Sequence, residues 1–227
     1  MNKEELKISQ GFDEIIEGMK PVDPSFNEIL NIENDYFGDI LDIGCGHGIF
    51  LKRIKEIGGN KITGLTGIDI SPKSIEVARK NIPEANLIVS PATKLPFNNE
   101  SFDFVFIIDT FSYVINFEDA LREAKRVLKP GGKLIFNFGN KNWIRLNDNY
   151  YKIRKKHKIP SCENRFTLKE IKNSLKNTGF KIIKYKGLQC FLYYKPYHKY
   201  ELILAKLIPL MHKYMKDILI EAIINKK

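Results

Sequence analysis

The sequence predicts an α/β protein built on a doubly wound, mainly parallel β-sheet. Short apolar runs alternate with helical segments through residues 38–139, and this alternation is typical of parallel sheets with crossover helices. One run, residues 102–108, is almost continuously apolar, as a strand covered by helices on both faces should be. The chain has 227 residues of ordinary globular composition, a length that suits one domain with elaborations or two very small ones.

The first half of the chain predicts three strands with helices before and between them. Ser71 is a suitable N-cap, and Pro72 suits the first position of the helix that follows. Gly58 and Gly59 end the preceding helix, because glycine readily adopts the left-handed conformation after a last turn. The predicted elements are a helical region at 1–33, strands at 39–43, 66–69 and 86–89, and helices at 49–57 and 72–81.

The second half predicts two further strands of the same kind and then a change of pattern. One helix ends at Pro130-Gly131-Gly132, and the fifth strand follows this turn. After Gly139 the residues to 164 are polar, aromatic and basic, without a clear period. The predicted elements are strands at 102–108, 133–138, 180–185 and 218–224, and helices at 116–128, 168–178 and 200–216.

The net charge of +10 is unevenly distributed along the chain. Residues 1–140 carry 16 Lys and Arg against 21 Asp and Glu, a net charge of −5. Residues 141–227 carry 21 against 6, a net charge of +15. Any binding of nucleic acid, membrane or an acidic partner that depends on this charge must therefore act through the last third of the chain.

The remaining composition argues against several classes of protein. No apolar run reaches the 18 residues that indicate a membrane-spanning helix. The first ten residues carry charges of both signs and no apolar stretch, so a secretory signal is not expected. The 3 cysteines are far apart and lack metal-ligand spacing, which predicts no metal site and a reducing, cytoplasmic location.

A glycine-rich turn after the first predicted strand is the main candidate binding site. Gly44, Gly46 and Gly48 let the backbone approach a ligand closely, and the helix that follows offers free N–H groups. The second predicted strand ends in Asp69, where a carboxylate can accept both hydroxyls of a ribose. The spacing is not that of a dinucleotide fingerprint, because Ile49 occupies the position of the third glycine. A turn that serves only packing is the structural alternative.

The pattern from Asp42 to Gly48, DxGxGxG, resembles class I S-adenosylmethionine-dependent methyltransferases with a methyltransferase type 11-like domain. Three later blocks extend this resemblance over residues 38–138: Ile68-Asp-Ile-Ser71, Leu95-Pro-Phe97 with Ser101-Phe-Asp103, and Arg126-Val-Leu-Lys-Pro-Gly-Gly132. The resemblance implies a Rossmann-like sheet of seven strands in the order 3-2-1-4-5-7-6. The last strand is then antiparallel, and helices cover both faces.

The whole chain, residues 1–227, is interpreted as one methyltransferase domain. Its parts are N-terminal helices at 1–37, a cofactor-binding core at 38–139, a basic cover on the acceptor side at 140–164, and C-terminal strands with an inserted apolar helix at 165–227.

The resemblance implies S-adenosyl-L-methionine as the cofactor and assigns residues to it. Its methionine end would be held by Asp42 and by the backbone of Gly44, Cys45, Gly46 and Gly48. Asp69 would bind the ribose, and Ile70 would flank the adenine. The family often has an Asp after the third strand that accepts from the adenine amine, but here Pro91 stands at that position. The Ala92 N–H could still donate to the adenine, and Ser90 or Thr93 are the substitutes for the missing Asp.

The acceptor side of the site is less well defined by the sequence. Asp109, at the end of the fourth predicted strand, is the candidate catalytic base and also a candidate cofactor or substrate ligand. A helix cap or a solvated loop carboxylate is the alternative role for Asp109. Tyr113, Trp143 and Tyr150 are candidate substrate contacts, because they lie in segments that line or cover the acceptor in the family.

The sequence favours a small or lipid-like metabolite as the methyl acceptor. Residues 200–216 are apolar around most of a predicted helix, with lysines along one stripe, which suits peripheral membrane contact or a lid. Residues 152–158 form a basic run suited to nucleic acid, which we rank below a lipid-like acceptor. Packing of the apolar helix as core is the structural alternative. The functional alternatives are an RNA or protein methyltransferase and a non-catalytic S-adenosylmethionine-binding protein. No oligomeric state is predicted.

Overall fold

Seven strands form one mixed sheet in the computed structural model, which describes residues 1–15, 26–33, 35–144, 164–188 and 217–225. The strands are β1 (Gly38–Ile43), β2 (Ile62–Asp69), β3 (Asn86–Val89), β4 (Phe102–Ile107), β5 (Leu128–Gly139), β6 (Phe180–Leu188) and β7 (Asp217–Ile224). Their order is β3-β2-β1-β4-β5-β7-β6. Neighbours from β3 to β5 are parallel, whereas β7 is antiparallel to both β5 and β6. This confirms the predicted order and the antiparallel last strand.

Helices precede the sheet and connect most of its strands. The described helices are α1 (Lys3–Ile15), α2 (Phe26–Leu30), α3 (Ile49–Gly58), α4 (Pro72–Asn81), α5 (Phe117–Val127), α6 (Lys141–Ile144) and α7 (Leu168–Thr178). The described part of the chain also has short 3-10 turns at Gly59–Lys61 and Phe111–Tyr113. The parallel strands with their crossover helices place the carboxyl ends of β1 to β5 at one edge of the sheet.

The strands contribute side chains to two apolar clusters, one on each face of the sheet. In β4, Val105 and Ile107 belong to one cluster, while Phe104 and Phe106 belong to the other. Helices α5 and α7 bury residues in the first cluster, and α3 and α4 bury residues in the second. Because successive side chains point to opposite faces, the buried part of a strand between two helix layers must be apolar. This explains the apolar run Phe104–Ile107 in β4, whereas Asp103 lies near the start of the strand.

Local sequence signals begin and end helices where they are expected. The Ser71 hydroxyl accepts from a backbone N–H of the first turn of α4 at 3.0 Å. Thr167 begins α7 with a capping box, and Gly179 ends that helix with φ of 83°. These contacts satisfy backbone groups that have no partner within the helix. The predicted helices at 72–81 and 168–178 are confirmed.

Several strands are longer than the sequence predicts, and β6 continues to Leu188 and not only to residue 185. β2 begins at Ile62, because this residue already pairs with Gly38 of β1. β5 begins at Leu128, which pairs with Phe102, so the Pro-Gly-Gly segment lies inside the strand and not before it. Gly131 has φ of +86°, a left-handed conformation that lets the strand bend and still pair on either side of the irregularity.

Some predicted features lie outside the described residues. They are the helix at 200–216, the basic run at 152–158 and part of the helical region at 1–33, of which α1 and α2 are described. Across the ranges that the structure describes, no helix is both long enough and apolar enough to cross a membrane.

Candidate functional site

A cavity of about 420 Å³ opens where β1, β2, β3 and β4 end. This is the edge at which open α/β sheets bind ligands, and the volume is typical of a small-molecule site. Predicted site residues that line the cavity are Asp42, Gly44, Cys45, Gly46, Asp69, Ile70, Ala92, Asp109 and Tyr113. The fold therefore brings residues from four strand ends to one space.

The glycine turn between β1 and α3 presents its backbone to the cavity. Gly44, Gly46 and Gly48 have φ of +78°, +50° and +76°, a region that favours glycine. A Cβ at Gly46 would meet no atom within 4 Å, whereas a Cβ at Gly48 would lie 3.0 Å from Cγ2 of Ile82. Gly46 thus leaves open space in the cavity, while Gly48, which does not line the cavity, packs the turn against the end of α4.

Asp69 connects the two loops that flank the cavity. Its Oδ2 accepts from the Gly46 N–H at 2.9 Å, and its Oδ1 accepts from the Ser71 N–H at 2.9 Å. Burial raises the pKa of Asp69, and hydrogen bonds from the backbone N–H groups of Ser71, Gly46 and Ile70 oppose that rise. Each carboxylate oxygen can accept a second hydrogen bond. Asp69 can therefore bind two hydroxyl groups of a ligand while it holds the glycine turn.

Asp42 is a buried carboxylate near the end of β1, with only 2% of its surface exposed. Its Oδ1 has no hydrogen-bond partner within the described part of the chain. Burial, with a smaller contribution from the negative charge of Asp69, raises the pKa of Asp42 to about 8. A buried carboxylate oxygen without a partner is costly. A cationic group of a ligand would offset that cost.

Asp109 follows β4 and is held by the side chain of Asn137 in β5. Asn137 Oδ1 accepts from the Asp109 N–H at 2.7 Å, and Asn137 Nδ2 donates to Asp109 Oδ1 at 2.5 Å. Asp109 has φ of +52°, which is uncommon for a residue with a side chain. Asn137 itself is 2% exposed. The pair thus fixes an exposed carboxylate in a defined orientation beside the cavity.

Cys45 and His47 are the residues between the three glycines of the turn. Burial raises the pKa of the Cys45 thiol well above its usual value, which suits a packing residue better than a nucleophile. Gly67 of β2 makes room for this thiol, since a Cβ there would lie 2.8 Å from Sγ. His47 lines the cavity, and burial lowers its pKa, so the ring is neutral at pH 7. Among the described residues, the buried Nε2 of His47 has no hydrogen-bond partner.

Helix α1 forms a wall of the cavity that the sequence does not predict. Glu5, Ile8 and Phe12 line the cavity from this helix. The Phe12 ring contacts the Tyr113 ring edge-to-face, with 5.0 Å between the centroids. The spacing of Ile8 and Phe12 indicates an apolar helix face, but it does not indicate which surface that face covers.

The candidate substrate contacts are described only in part. Tyr113 lines the cavity, as do Val114 and Ile115 directly after it, so this wall is largely apolar. Trp143 lies in α6, and Tyr150 lies outside the described residues. In the ranges that the structure describes, no His, Cys, Asp and Glu side chains are grouped so as to hold a metal ion.

Comparison with known proteins finds similar sequences. Residues 41–136 match the family model of a methyltransferase domain. The chain is 35% identical over 144 residues to the uncharacterized protein MJ1123 of Methanocaldococcus jannaschii, which covers 63% of this chain and 65% of that protein. It is 32% identical over 123 residues to the sterol 4-C-methyltransferase strm-1 of Caenorhabditis elegans, which covers 52% of this chain and 34% of that protein. It is 35% identical over 99 residues to a demethylmenaquinone methyltransferase of Tropheryma whipplei, covering 43% and 40%.

The chain therefore matches between about a third and two thirds of the length of these curated relatives.

Solved structures share the fold at low identity. A chain from a complex that contains the Haloferax volcanii Trm112 methyltransferase activator has a TM-score of 0.73 and 19% identity, covering 97% of this chain and 98% of that chain. The [4+2]-cyclase SpnF has a TM-score of 0.68 and 16% identity, covering 98% and 97%. At these identities the likeness concerns the fold alone, and one fold can serve different reactions.

Proposed function

Because residues 41–136 belong to the methyltransferase domain family and the sheet has the class I strand order, we propose that this protein is an S-adenosylmethionine-dependent methyltransferase with a small, lipid-like acceptor. The observation that carries the proposal is one cavity lined together by Asp42, the glycine turn and Asp69. Their chemistry is complementary to the ammonium, the connecting chain and the ribose of the cofactor.

The residues of the cavity fit the polar groups of S-adenosylmethionine. The buried Oδ1 of Asp42 suits the α-ammonium group, since it has no partner among the described residues. Asp69 has the spare lone pairs that a ribose diol requires. Helix α3 begins at Ile49, which lines the cavity, and its N-terminus suits the carboxylate. Gly46 leaves space for the chain that joins these groups.

The protein residues hold and shield the reactants in the proposed reaction. The bound cofactor supplies an activated methyl group, so the enzyme has chiefly to orient the acceptor and to exclude water. Phe12, Tyr113 and Val114 provide an apolar wall that excludes water from one side of the cavity. Asp109, fixed by Asn137, is the carboxylate that can accept a hydrogen bond from the acceptor and take its proton.

Two observations support a lipid-like acceptor. The wall formed by α1 and by the residues after β4 is mainly apolar, which suits an apolar acceptor better than a phosphate-rich one. Two of the relatives are named for a sterol and for demethylmenaquinone. Such an acceptor is compatible with peripheral membrane contact through residues 200–216, which lie outside the described residues.

Asp42 is expected to make cofactor binding dependent on pH. Its pKa of about 8 means that the carboxyl is mostly protonated at pH 7 in the free protein. An ammonium group beside it would lower that pKa, so binding of S-adenosylhomocysteine at pH 7 should release about one proton and should tighten as the pH rises toward about 8. Calorimetry in buffers of different ionisation enthalpy measures this release. Asp42→Asn should bind more weakly and release no proton from this site; an unchanged release would contradict the assignment.

The same pKa shift has a consequence for the stability of the free protein. The folded-state pKa of Asp42 lies above the unfolded value of about 3.9, so its contribution to the free energy of unfolding is fully present below about pH 4. That contribution is lost as the pH rises through the folded value of about 8. The Asn side chain in Asp42→Asn cannot ionise. The free energy of unfolding of this variant should therefore fall less between about pH 5 and about pH 8 than that of the wild-type chain.

A second candidate function is binding of the cofactor without methyl transfer. It is favoured because no motif in the sequence fixes a catalytic base. A methyltransferase for RNA or protein is the other alternative, and its support is the basic last third of the sequence.

The proposal is tested by incubating the purified protein with methyl-labelled S-adenosylmethionine and three fractions of a cell extract: lipids dispersed in detergent, RNA and protein. We expect label in the lipid fraction, and we expect Asp109→Asn to lower its rate by a factor on the order of 100 with unchanged affinity for S-adenosylhomocysteine. Label in RNA or protein would overturn the acceptor class. Cofactor binding without transfer to any fraction would favour the non-catalytic alternative.

A further inference from the structure

The end of the cavity near β3 has no carboxylate within its own loop to accept from an amino group. Ser90, Pro91, Ala92 and Thr93 line this end. Pro91 has no polar side chain, and the Ser90 hydroxyl donates to the Lys94 carbonyl oxygen at 3.0 Å. The Thr93 hydroxyl also donates within the protein, so the loop offers a ligand hydroxyl and backbone oxygens but no carboxylate.

Glu5 of α1 supplies a carboxylate at this end of the cavity. Its Oε1 accepts from the Thr93 hydroxyl at 3.0 Å, and its Oε2 accepts from the Asn2 N–H at 2.7 Å. Each of these oxygens can accept one more hydrogen bond. The other carboxylates that line the cavity, Asp42, Asp69 and Asp109, belong to the ends of β1, β2 and β4. Glu5 is thus the carboxylate placed against the loop after β3.

Helix α1 makes further hydrogen bonds to the loop after β2. The Ser9 hydroxyl donates to the Ile70 carbonyl oxygen at 2.9 Å, and the Ser71 hydroxyl donates to a carboxylate oxygen of Asp13. Glu5, Ser9 and Asp13 are spaced four residues apart, so one face of the helix carries all three contacts. These contacts hold the helix backbone in place, and with it the position of Glu5.

The order of the sheet fixes which part of the cofactor reaches Glu5. Asp42 is on β1, Asp69 is on the neighbouring β2, and β3 lies beyond β2. A cofactor with its ammonium group at Asp42 and its ribose at Asp69 extends its base toward β3. We propose that Glu5 accepts a hydrogen bond from the 6-amino group of the adenine and so determines the specificity for that base. This inference rests on the proposed function, because it assumes that S-adenosylmethionine occupies the cavity.

A carboxylate at this position distinguishes bases by the group at carbon 6. An amino group donates to the carboxylate, whereas the carbonyl group of hypoxanthine is an acceptor and is repelled by it. A Gln side chain in place of Glu5 can either accept or donate, so it should lose most of this discrimination. Glu4 is an exposed neighbour on α1 that does not line the cavity. Glu4→Gln is the matched control, because it removes the same charge from the same helix.

The test compares S-adenosylhomocysteine with S-inosylhomocysteine, in which a carbonyl replaces the 6-amino group. Calorimetry gives the affinity ratio of the two ligands for the wild-type chain, Glu5→Gln and Glu4→Gln, and thermal unfolding verifies that all three are folded. We expect the wild-type chain and Glu4→Gln to prefer S-adenosylhomocysteine by a factor on the order of 10 or more. In Glu5→Gln this ratio should fall toward one.

The outcomes separate the inference from the function on which it rests. A Glu5→Gln variant with the wild-type ratio would overturn the role of Glu5 and leave the methyltransferase proposal intact. A fall of the ratio in Glu4→Gln as large as in Glu5→Gln would also overturn it, since the effect would then come from the charge of the helix. A wild-type chain that binds neither ligand would instead contradict the proposed function.

Discussion

Asp69→Ala is expected to weaken the binding of S-adenosylhomocysteine by about 100-fold. In the proposed complex this carboxylate accepts both ribose hydroxyls, and a hydrogen bond to a charged group contributes about 1.5 to 3 kcal/mol. The same side chain accepts from the N–H groups of Gly46 and Ser71, so its removal also loosens the glycine turn. Calorimetric titration measures the change in affinity, at a temperature where thermal unfolding shows that the variant is folded.

Asp39→Ala is the control for this variant. Asp39 lies at the start of β1, whereas the cavity lies where the strands end. Its carboxylate accepts from Lys129 Nζ at 2.8 Å and from the Thr63 hydroxyl at 3.1 Å. Its loss should lower stability slightly, as for other partly exposed ion pairs, and leave ligand affinity unchanged. If Asp69→Ala bound the ligand as tightly as the wild-type chain, the ribose assignment would be wrong.

Gly46→Ala is expected to abolish most ligand binding while the protein stays folded. A Cβ at Gly46 meets no atom within 4 Å, and the residue lines the cavity, so the added methyl group would occupy space that the ligand needs. Overpacking of this kind weakens affinity on the order of tenfold to a hundredfold. The left-handed φ of +50° costs an alanine only about 1 to 2 kcal/mol of stability.

Gly131→Ala provides the matched comparison. Gly131 has φ of +86°, and a Cβ there also meets no atom within 4 Å, but the residue lies early in β5 and does not line the cavity. Both variants should lose a similar amount of stability in denaturant unfolding, while only Gly46→Ala should lose affinity in titration. Equal affinities in the two variants would show that the turn at Gly46 does not contact the ligand.

The sheet and its binding edge could be predicted because their signals are local. A strand, a glycine turn and a helix follow one another within residues 38–58, and Asp69 stands at the end of the next strand. The order of the strands required the resemblance to a family, since the antiparallel insertion of β7 between β5 and β6 depends on pairing between segments far apart in the chain. The start of β5 was wrong because a Pro-Gly-Gly segment normally interrupts a strand, whereas here it lies within an irregular pairing with β4.

The walls of the site could not be predicted in the same way. The hydrogen bond between Glu5 and Thr93 joins residues 88 positions apart, and helix periodicity carries no information about such a partner. Asn137 is different, because a polar residue inside an apolar strand is a signal that a buried partner exists. That signal identifies the need for a partner but not its identity, which is Asp109, just after the neighbouring strand β4.

The attachment of α1 has a kinetic consequence. The helix contacts the loops after β2, β3 and β4 through Ser9, Glu5 and Phe12, and its side chains form part of the cavity wall. With the proposed cofactor bound beside it, loosening of this helix would widen the path by which the spent cofactor leaves. The few contacts at the start of the chain would then contribute to the dwell time of the product, together with the residues that hold the cofactor.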